Sequence, residues 1–317
     1  MRASLRTAVV AAGAALVPLL AAPLSAQDAT QDSYPDRCGA GMPRSEQAGY
    51  VPLPRGDVFC PLIADPKAQR SFASLLQERT GSGTGGASSR LASVGIGDVF
   101  GLGRWSGSQP GDGVQLSLSA GVFAQFDLGT SSYDLLNADY MVGLPLTIRR
   151  GRGSMRLRVY HQSSHLGDEY LLREPADRRD RENLSFESID LLLSLDAGAL
   201  RFYGGGERLV NREPEELAAT VVHAGTEFRP MTWIIPLRSL GGFRFIAAVD
   251  AKTSDEHDWK PSISARAGLE YDRRKGGDLP GRRWALLAEF YEGPSPYGQF
   301  FRERVQYAGV GVHFGGF

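Results

Sequence analysis

GVQLSLSAGVFAQFDL, residues 113–128, alternates without a break. Val114, Leu116, Leu118, Ala120, Val122, Ala124 and Phe126 share one side of an extended chain. Gln115, Ser117, Ser119, Gly121, Phe123 and Gln125 share the other. Successive side chains of a strand point to opposite faces, so this spacing predicts a β-strand with one apolar face. The run is also far longer than the usual strand of about 5–6 residues.

The pattern recurs. FRFIAAVDAK sets Phe243, Phe245, Ala247, Val249 and Ala251 against Arg244, Asp250 and Lys252. SISARAGLEY sets Ile263, Ala265, Ala267, Leu269 and Tyr271 against Ser262, Ser264, Arg266, Gly268 and Glu270, and WALLAEFY behaves alike. In a soluble sandwich the apolar face would be the core; in an outer-membrane barrel it meets lipid and the polar face lines the lumen. Three features favour the barrel. The strands are about ten residues or longer, enough to span when tilted. The chain ends in phenylalanine, in YAGVGVHFGGF. It starts with MRASLRTAVVAAGAALVPLLAAPLSAQ, whose basic start, short apolar run and small residues before Gln27 predict a secretory signal peptide over 1–26.

The expected fold is all-β: an antiparallel transmembrane barrel of about twelve strands, outer-membrane type, in a Gram-negative envelope. The strands are placed at roughly 70–79, 91–105, 113–128, 138–149, 154–164, 184–196, 199–210, 217–229, 240–252, 261–272, 282–292 and 304–314. Residues 27–68 are read as an N-terminal periplasmic arm and 69–317 as the barrel. The polar face carries Arg149, Arg156, Arg158, Arg201, Arg244 and Arg266 with Asp139, Asp190, Glu227, Asp250, Glu270 and Glu289. In a barrel of this size they should interlock and fill the lumen, which speaks against a wide pore. The 39 glycines suit many turns, and the formal net charge of −1 offers no electrostatic case for nucleic acid. The 2 cysteines, Cys38 and Cys60, are expected to pair in an oxidising compartment. Expected partners are outer-membrane lipid and the barrel assembly machinery; the oligomeric state is open.

Chemistry concentrates in VYHQSSHLGDEY, 159–170. By parity Arg156, Arg158, Tyr160 and Gln162 face the lumen, and Val159, His161 and Ser163 face lipid. At roughly 2.4 Å of height per tilted residue, His161 falls in the outer half of the membrane. On the next strand, NLSFESIDLLLSLD, the lipid face carries Ser185, Glu187 and Ile189. A nucleophile (Ser163), a base (His161) and an acid to orient that base (Glu187) could therefore meet outside the barrel. The plainer readings are a polar interface cluster, or a histidine that only bonds across strands. The loop acids Asp168 and Glu169 are candidate calcium ligands, with a solvated charged loop as the alternative. The external YEGPSPYGQFF is expected to expose aromatic residues.

The HQS hairpin resembles outer-membrane phospholipase A, and its His-x-Ser logic is similar to that of the lipid A 3-O-deacylase barrel. Each takes its third polar residue from the next strand, Asn in the phospholipase and Glu in the deacylase. The resemblance implies His161 as base, Ser163 as nucleophile and Glu187 as orienting acid. The phospholipase's Asn-Gly after the serine is here Ser164 and His165, and the intervening loop is longer. No cofactor is implied beyond the calcium that the phospholipase uses. Over GDVFCPLIADPK, FAQFDLGTSSYDLLNADYMVGLPLTIRRG, RLRVYHQSSHLGDEYLLR, YGGGERLV and EGPSPYGQFF the chain resembles a bacterial family of unknown function placed in the outer membrane, the domain of unknown function 1207 family. That resemblance implies the barrel and the compartment but no activity. Two classes of function follow: a lipid-acting serine hydrolase, or a non-enzymatic envelope barrel, structural or narrowly conducting.

Overall fold

The computed structural model describes residues 49–80, 87–107, 109, 111–174, 181–230, 232, 234–237, 241–272 and 283–315. The expected signal peptide, residues 27–48 of the expected arm, and Cys38 lie outside the described residues.

The strands are β1 (Gly49–Pro52), β2 (Ser71–Thr80), β3 (Ala87–Ser106), β4 (Gly113–Asp127), β5 (Leu135–Arg150), β6 (Gly153–Leu166), β7 (Leu184–Ala197), β8 (Leu200–Glu213), β9 (Thr220–Phe228), β10 (Ile235–Pro236), β11 (Gly242–Ser254), β12 (Ser262–Asp272), β13 (Trp284–Pro294) and β14 (Arg304–Phe314). Twelve of them, all but β1 and β10, close into one antiparallel ring. The ring closes where β14 meets β2, with Phe314 opposite Ser71, and β3 meets β4. Closure leaves no lengthwise sheet edge, which a structure in lipid requires. No helix is long and apolar enough to cross a membrane, which says nothing of strands.

The alternation of 113–128 turns out as read. Gln115, Ser117, Ser119 and Phe123 are buried inward, while Leu116 and Leu118 are exposed. Around the ring Ile96 is 70% exposed, Val310 53% and Leu286 49%, whereas Arg244 and Glu270 are fully buried. The molecule is apolar outside and charged inside, the reverse of a soluble sandwich. The inward charges are paired: Arg201 with Glu227 at 3.2 Å, Arg266 with Glu289 at 3.0 Å, Arg156 with Asp190 at 2.9 Å, and Arg244 with Glu270. A buried charge is tolerable only with such a partner. At one rim Phe243, Tyr271 and Trp284 pack against one another, Phe243 edge-on to Trp284, and Phe314 stands opposite Trp284. This is an aromatic girdle of the kind that outer-membrane barrels carry at an interface.

The lumen is filled by the chain's own N-terminal segment. The described part of the expected arm does not hang below the barrel. β1 pairs with the lower end of β3, and residues 57–70 then run inside the ring before β2 begins. Val58, Phe59, Cys60, Leu62, Ile63 and Ala64 are all buried. The wall holds this plug by its backbone. Arg201 Nη1 donates to the Cys60 carbonyl at 2.9 Å, Arg266 Nη1 donates to the Ile63 carbonyl at 2.9 Å, and Glu227 Oε1 accepts the Ile63 N–H at 2.7 Å. Lys252 pairs with Asp65 at 2.9 Å, and Lys67 pairs with Asp139. An irregular segment can lie at membrane depth because protein side chains replace the water its peptide groups would need.

The opposite mouth is closed by the β13–β14 loop. Tyr297 and Phe301 are buried, against the expected exposed aromatics. Tyr297 shares a hydrogen bond with Ser93, and its ring lies 4.2 Å below the Lys67 ammonium. Gly298 N–H donates to Asp139 at 3.1 Å, and Gln299 Nε2 donates to the Ser164 carbonyl at 2.8 Å. The loop folds inward because the lumen supplies partners for both its rings and its peptide groups.

Candidate functional site

β6 and β7 pair antiparallel, and their register sets the site. His161 stands opposite Glu187, and Ser163 opposite Ser185. All four lie at outward positions and are half-buried, while Tyr160, Gln162 and Ser164, one step out of phase, are buried inward. The period of two thus divides one hydrophilic stretch between two faces.

His161 Nδ1 lies 2.9 Å from Glu187 Oε1, with the two side chains 42% and 41% exposed. A carboxylate can only accept, so Nδ1 carries a proton, and in the neutral ring Nε2 is then the nitrogen with the lone pair. That tautomer is the one a general base needs, with the carboxylate fixing the ring. The structure brings His161 and Glu187 into contact. Ser163 follows on the same face two residues on, but no hydrogen bond joins it to His161 among the described residues. Ser185 on β7 and Tyr140 on β5 stand opposite Ser163 on either side and bring two further hydroxyl-bearing residues to this patch.

Above the hairpin the loop is pinned. A short helix, α1 (Asp168–Leu171), opens it. Arg173 Nη2 bridges Asp127 at 3.0 Å and Asp134 at 2.9 Å, and Tyr170 packs edge-on against Phe300. Hydrogen bonds from Ser132 and Arg173 hold the Asp134 carboxyl below its usual range. Asp168 and Glu169 are exposed in the first turn of α1, and Asp177 and Asp180 lie outside the described residues. No group of three or more His, Cys, Asp or Glu is arranged to hold a metal among the described residues. Two exposed carboxylates on one helical turn fall short of the six to eight oxygen ligands calcium takes.

Two of the other histidines, His223 and His313, serve the lumen. His223 Nε2 contacts Asp250 Oδ2, which also accepts the Tyr203 hydroxyl at 2.6 Å. His313 Nε2 lies 3.1 Å from Glu289 Oε1. Cys60 is buried within the plug. Sequence reasoning missed Asp98, an exposed carboxylate on the outward face of β3, and the apolar groove between it and His161. Parity along LASVGIGDVF was the available signal for Asp98, because a charge on a lipid-side position is costly and needs a reason.

The chain matches the family described as Protein of unknown function (DUF1207) over residues 39–316. It belongs to that family. No curated protein matches it. Among solved structures, outer membrane phospholipase A from Escherichia coli superposes with a TM-score of 0.50 at 14% identity, covering 79% of this chain and 93% of that one. An active-site mutant of that enzyme gives 0.51 at 14% identity with the same coverage. The Salmonella typhi enzyme, solved as a dimer with bound calcium, gives 0.50 at 13% identity, again covering 79% and 93%. At this identity the likeness is one of fold: an outer-membrane-type barrel.

Proposed function

We propose that this DUF1207 protein is an outer-membrane acyl-ester hydrolase that works on membrane lipid from the outside of its barrel. The observation that carries the reading is the outward-facing His161–Glu187 pair at 2.9 Å, with Ser163 next on the same face. An ionisable pair at lipid-facing positions is expensive and is a functional candidate by default. In the proposed cycle Ser163 Oγ attacks the ester carbonyl carbon while His161 Nε2 takes its proton. The proton passes to the departing alcohol as the carbonyl–oxygen bond breaks, leaving an acyl-serine. Water then attacks that acyl group, His161 again taking a proton, and releases fatty acid and free serine. Glu187 holds the tautomer and balances the imidazolium charge.

The reading includes residence in the outer membrane after cleavage behind Ala26, and a Cys38–Cys60 disulfide that would tether the plug's leading end. The signal sequence, the outward apolar face and the aromatic girdle support the first. Burial of Cys60 away from solvent supports the second. A competing reading is a structural, non-enzymatic barrel, which the plugged and ion-paired lumen favours over any channel.

Purified protein in mixed micelles with phospholipid should release fatty acid. Ser163→Ala and His161→Ala should each lower the rate by at least about 10³. Glu187→Gln, which keeps an acceptor for Nδ1–H but loses the charge, should fall between wild type and Glu187→Ala. Undiminished release in Ser163→Ala together with complete loss in Ser185→Ala would move the nucleophile to β7. Undiminished release in both would sink the proposed chemistry.

A further inference from the structure

The outer wall between β3 and β6 is dented. A groove of about 460 Å³ lies there, with Ile96, Phe100, Val122 and Val142 on its sides, Ala120 in its floor and His161 at one end. The volume falls within the range of about 300–1,000 Å³ typical of small-molecule sites. Its axis follows a row of cross-strand partners: Asp98 faces Ala120, Ala120 faces Val142, and Val142 faces His161. At about 4.8 Å per strand the row runs roughly 14 Å from Asp98 to His161. Ala120 makes the dent, because the row needs a large side chain there to stay flush and has a methyl group instead. The strands are tilted in a barrel, so the row runs obliquely across the apolar belt and not around it at one height.

The chemistry of the lining names the occupant. The groove opens on an outward apolar surface, and its polar end is the imidazole that the hydrolase reading uses. No lysine or arginine lines it, and its one carboxylate, Asp98, is engaged by the backbone: Oδ1 accepts the Val99 N–H at 2.8 Å. That bond has a structural origin. β2 pairs with β3 only up to Gly95, and β1 pairs only from Gly103 onward. The edge of β3 between them has no strand partner, so Asp98 caps it, and the Ser71 hydroxyl reaches the Gly97 carbonyl at 3.4 Å. A groove lined without cations suits hydrocarbon and an ester and not a phosphate, so a zwitterionic glycerophospholipid, with its headgroup outside the groove, is the occupant we take.

The geometry points to this groove as the acyl-chain site of the protein: one chain of a glycerophospholipid lies along Val142, Ala120 and Ile96 with its ester carbonyl at His161. The inference rests on the hydrolase reading for its polar end and on the groove alone for its chain. It goes beyond a general lipid hydrolase by naming the strands and side chains that hold the acyl chain.

The test uses the full-length protein as Ser163→Ala, in nanodiscs containing phosphatidylethanolamine with a diazirine in one acyl chain. After photolysis, label should concentrate on the segments bearing Ile96, Val122 and Val142. Ala120→Trp fills the floor and removes contact with about two methylene groups, so labelling there should drop roughly tenfold. Val142→Trp should do the same, and Ala288→Trp, outward on β13 three strands away from β3, should not. Label spread evenly around the barrel, or unmoved by both groove variants, overturns the inference. So does stronger groove labelling by a diazirine lipid A than by the phospholipid. Fatty-acid release by the wild type is read separately. Cleavage with an unlabelled groove rejects the groove alone, and a labelled groove without cleavage rejects the hydrolase reading alone.

Discussion

Glu227 pins the plug to the wall, and its removal should be felt throughout the barrel. Its Oε1 accepts the Ile63 N–H at 2.7 Å, its Oε2 accepts from Arg201 at 3.2 Å, and the residue is 4% exposed. Glu227→Leu strands a buried peptide N–H, which costs about 1–3 kcal/mol. It also removes the charge partner of Arg201, although that guanidinium keeps the Cys60 carbonyl at 2.9 Å and Ser194 at 3.2 Å. The two losses share one side chain, so they bring the total to about 3–5 kcal/mol, the range for breaking a buried pair. Glu227→Gln retains one acceptor and should cost about half as much. The matched control is Glu182→Ala, which breaks the exposed Arg302–Glu182 pair and should cost less than about 1 kcal/mol. Urea titration in micelles, followed by tryptophan fluorescence, reads these differences as midpoints. With a slope of about 2–3 kcal/mol per molar, Glu227→Leu should move the midpoint down by about 1–2 M. A folded Glu227→Leu barrel with the midpoint of Glu182→Ala would refute the claim that the plug is held by buried pairing.

Two further outcomes follow from residues outside the strands' charged interior. Burial pushes the Glu256 carboxyl up to about 6, and the group accepts the Ala218 N–H at 2.9 Å in the external loops. The fold therefore holds this proton more tightly than the unfolded chain does. The contribution is full below about pH 4.5 and is lost as the pH climbs through about 6, so Glu256→Gln should stabilise by up to about 2 kcal/mol at pH 7.5, less with solvent screening, and not at pH 4. Equal effects at both pH values in thermal or urea melts would reject it. Trp284 packs in the rim girdle with Phe243 and Tyr271, whereas Trp259 lies in the turn after β11; brominated lipid should quench fluorescence from a protein whose only tryptophan is Trp284 and spare one retaining only Trp259, and equal quenching would displace the girdle from the interface.

The strands were legible because a wall residue has only two choices, lipid or lumen, and the chain states the choice at every second position. That is why GVQLSLSAGVFAQFDL suffices for the fold and why parity alone sets Glu187 on the same face as His161. GDVFCPLIADPK gave no such notice. Its peptide groups are satisfied by Arg201, Arg266 and Glu227 from distant strands, so no period is imposed on its own side chains. EGPSPYGQFF misled for a related reason: Tyr297 and Phe301 look exposed in a loop until Ser93 and Lys67 appear beneath. The groove depends on Ala120 standing beside Ile96 and Val142, a relation set by register among three strands and not by any one segment.

The plug is tied to the wall at both ends, at Pro52 in β1 and at Ser71 in β2. A stopper fastened at one end can be drawn out like a cork on a string. One fastened at both can only buckle or fold back as a loop, with every anchor released in the same excursion. It also sets an order of events during biogenesis. The first and last strands seal against each other at Ser71 and Phe314, and the segment just before Ser71 must already be inside when that seam zips. A barrel that sealed without that segment would keep the wall pairs Arg201–Glu227 and Arg266–Glu289 but lose the Cys60 and Ile63 carbonyls that those arginines also hold, so plugging and closure are coupled.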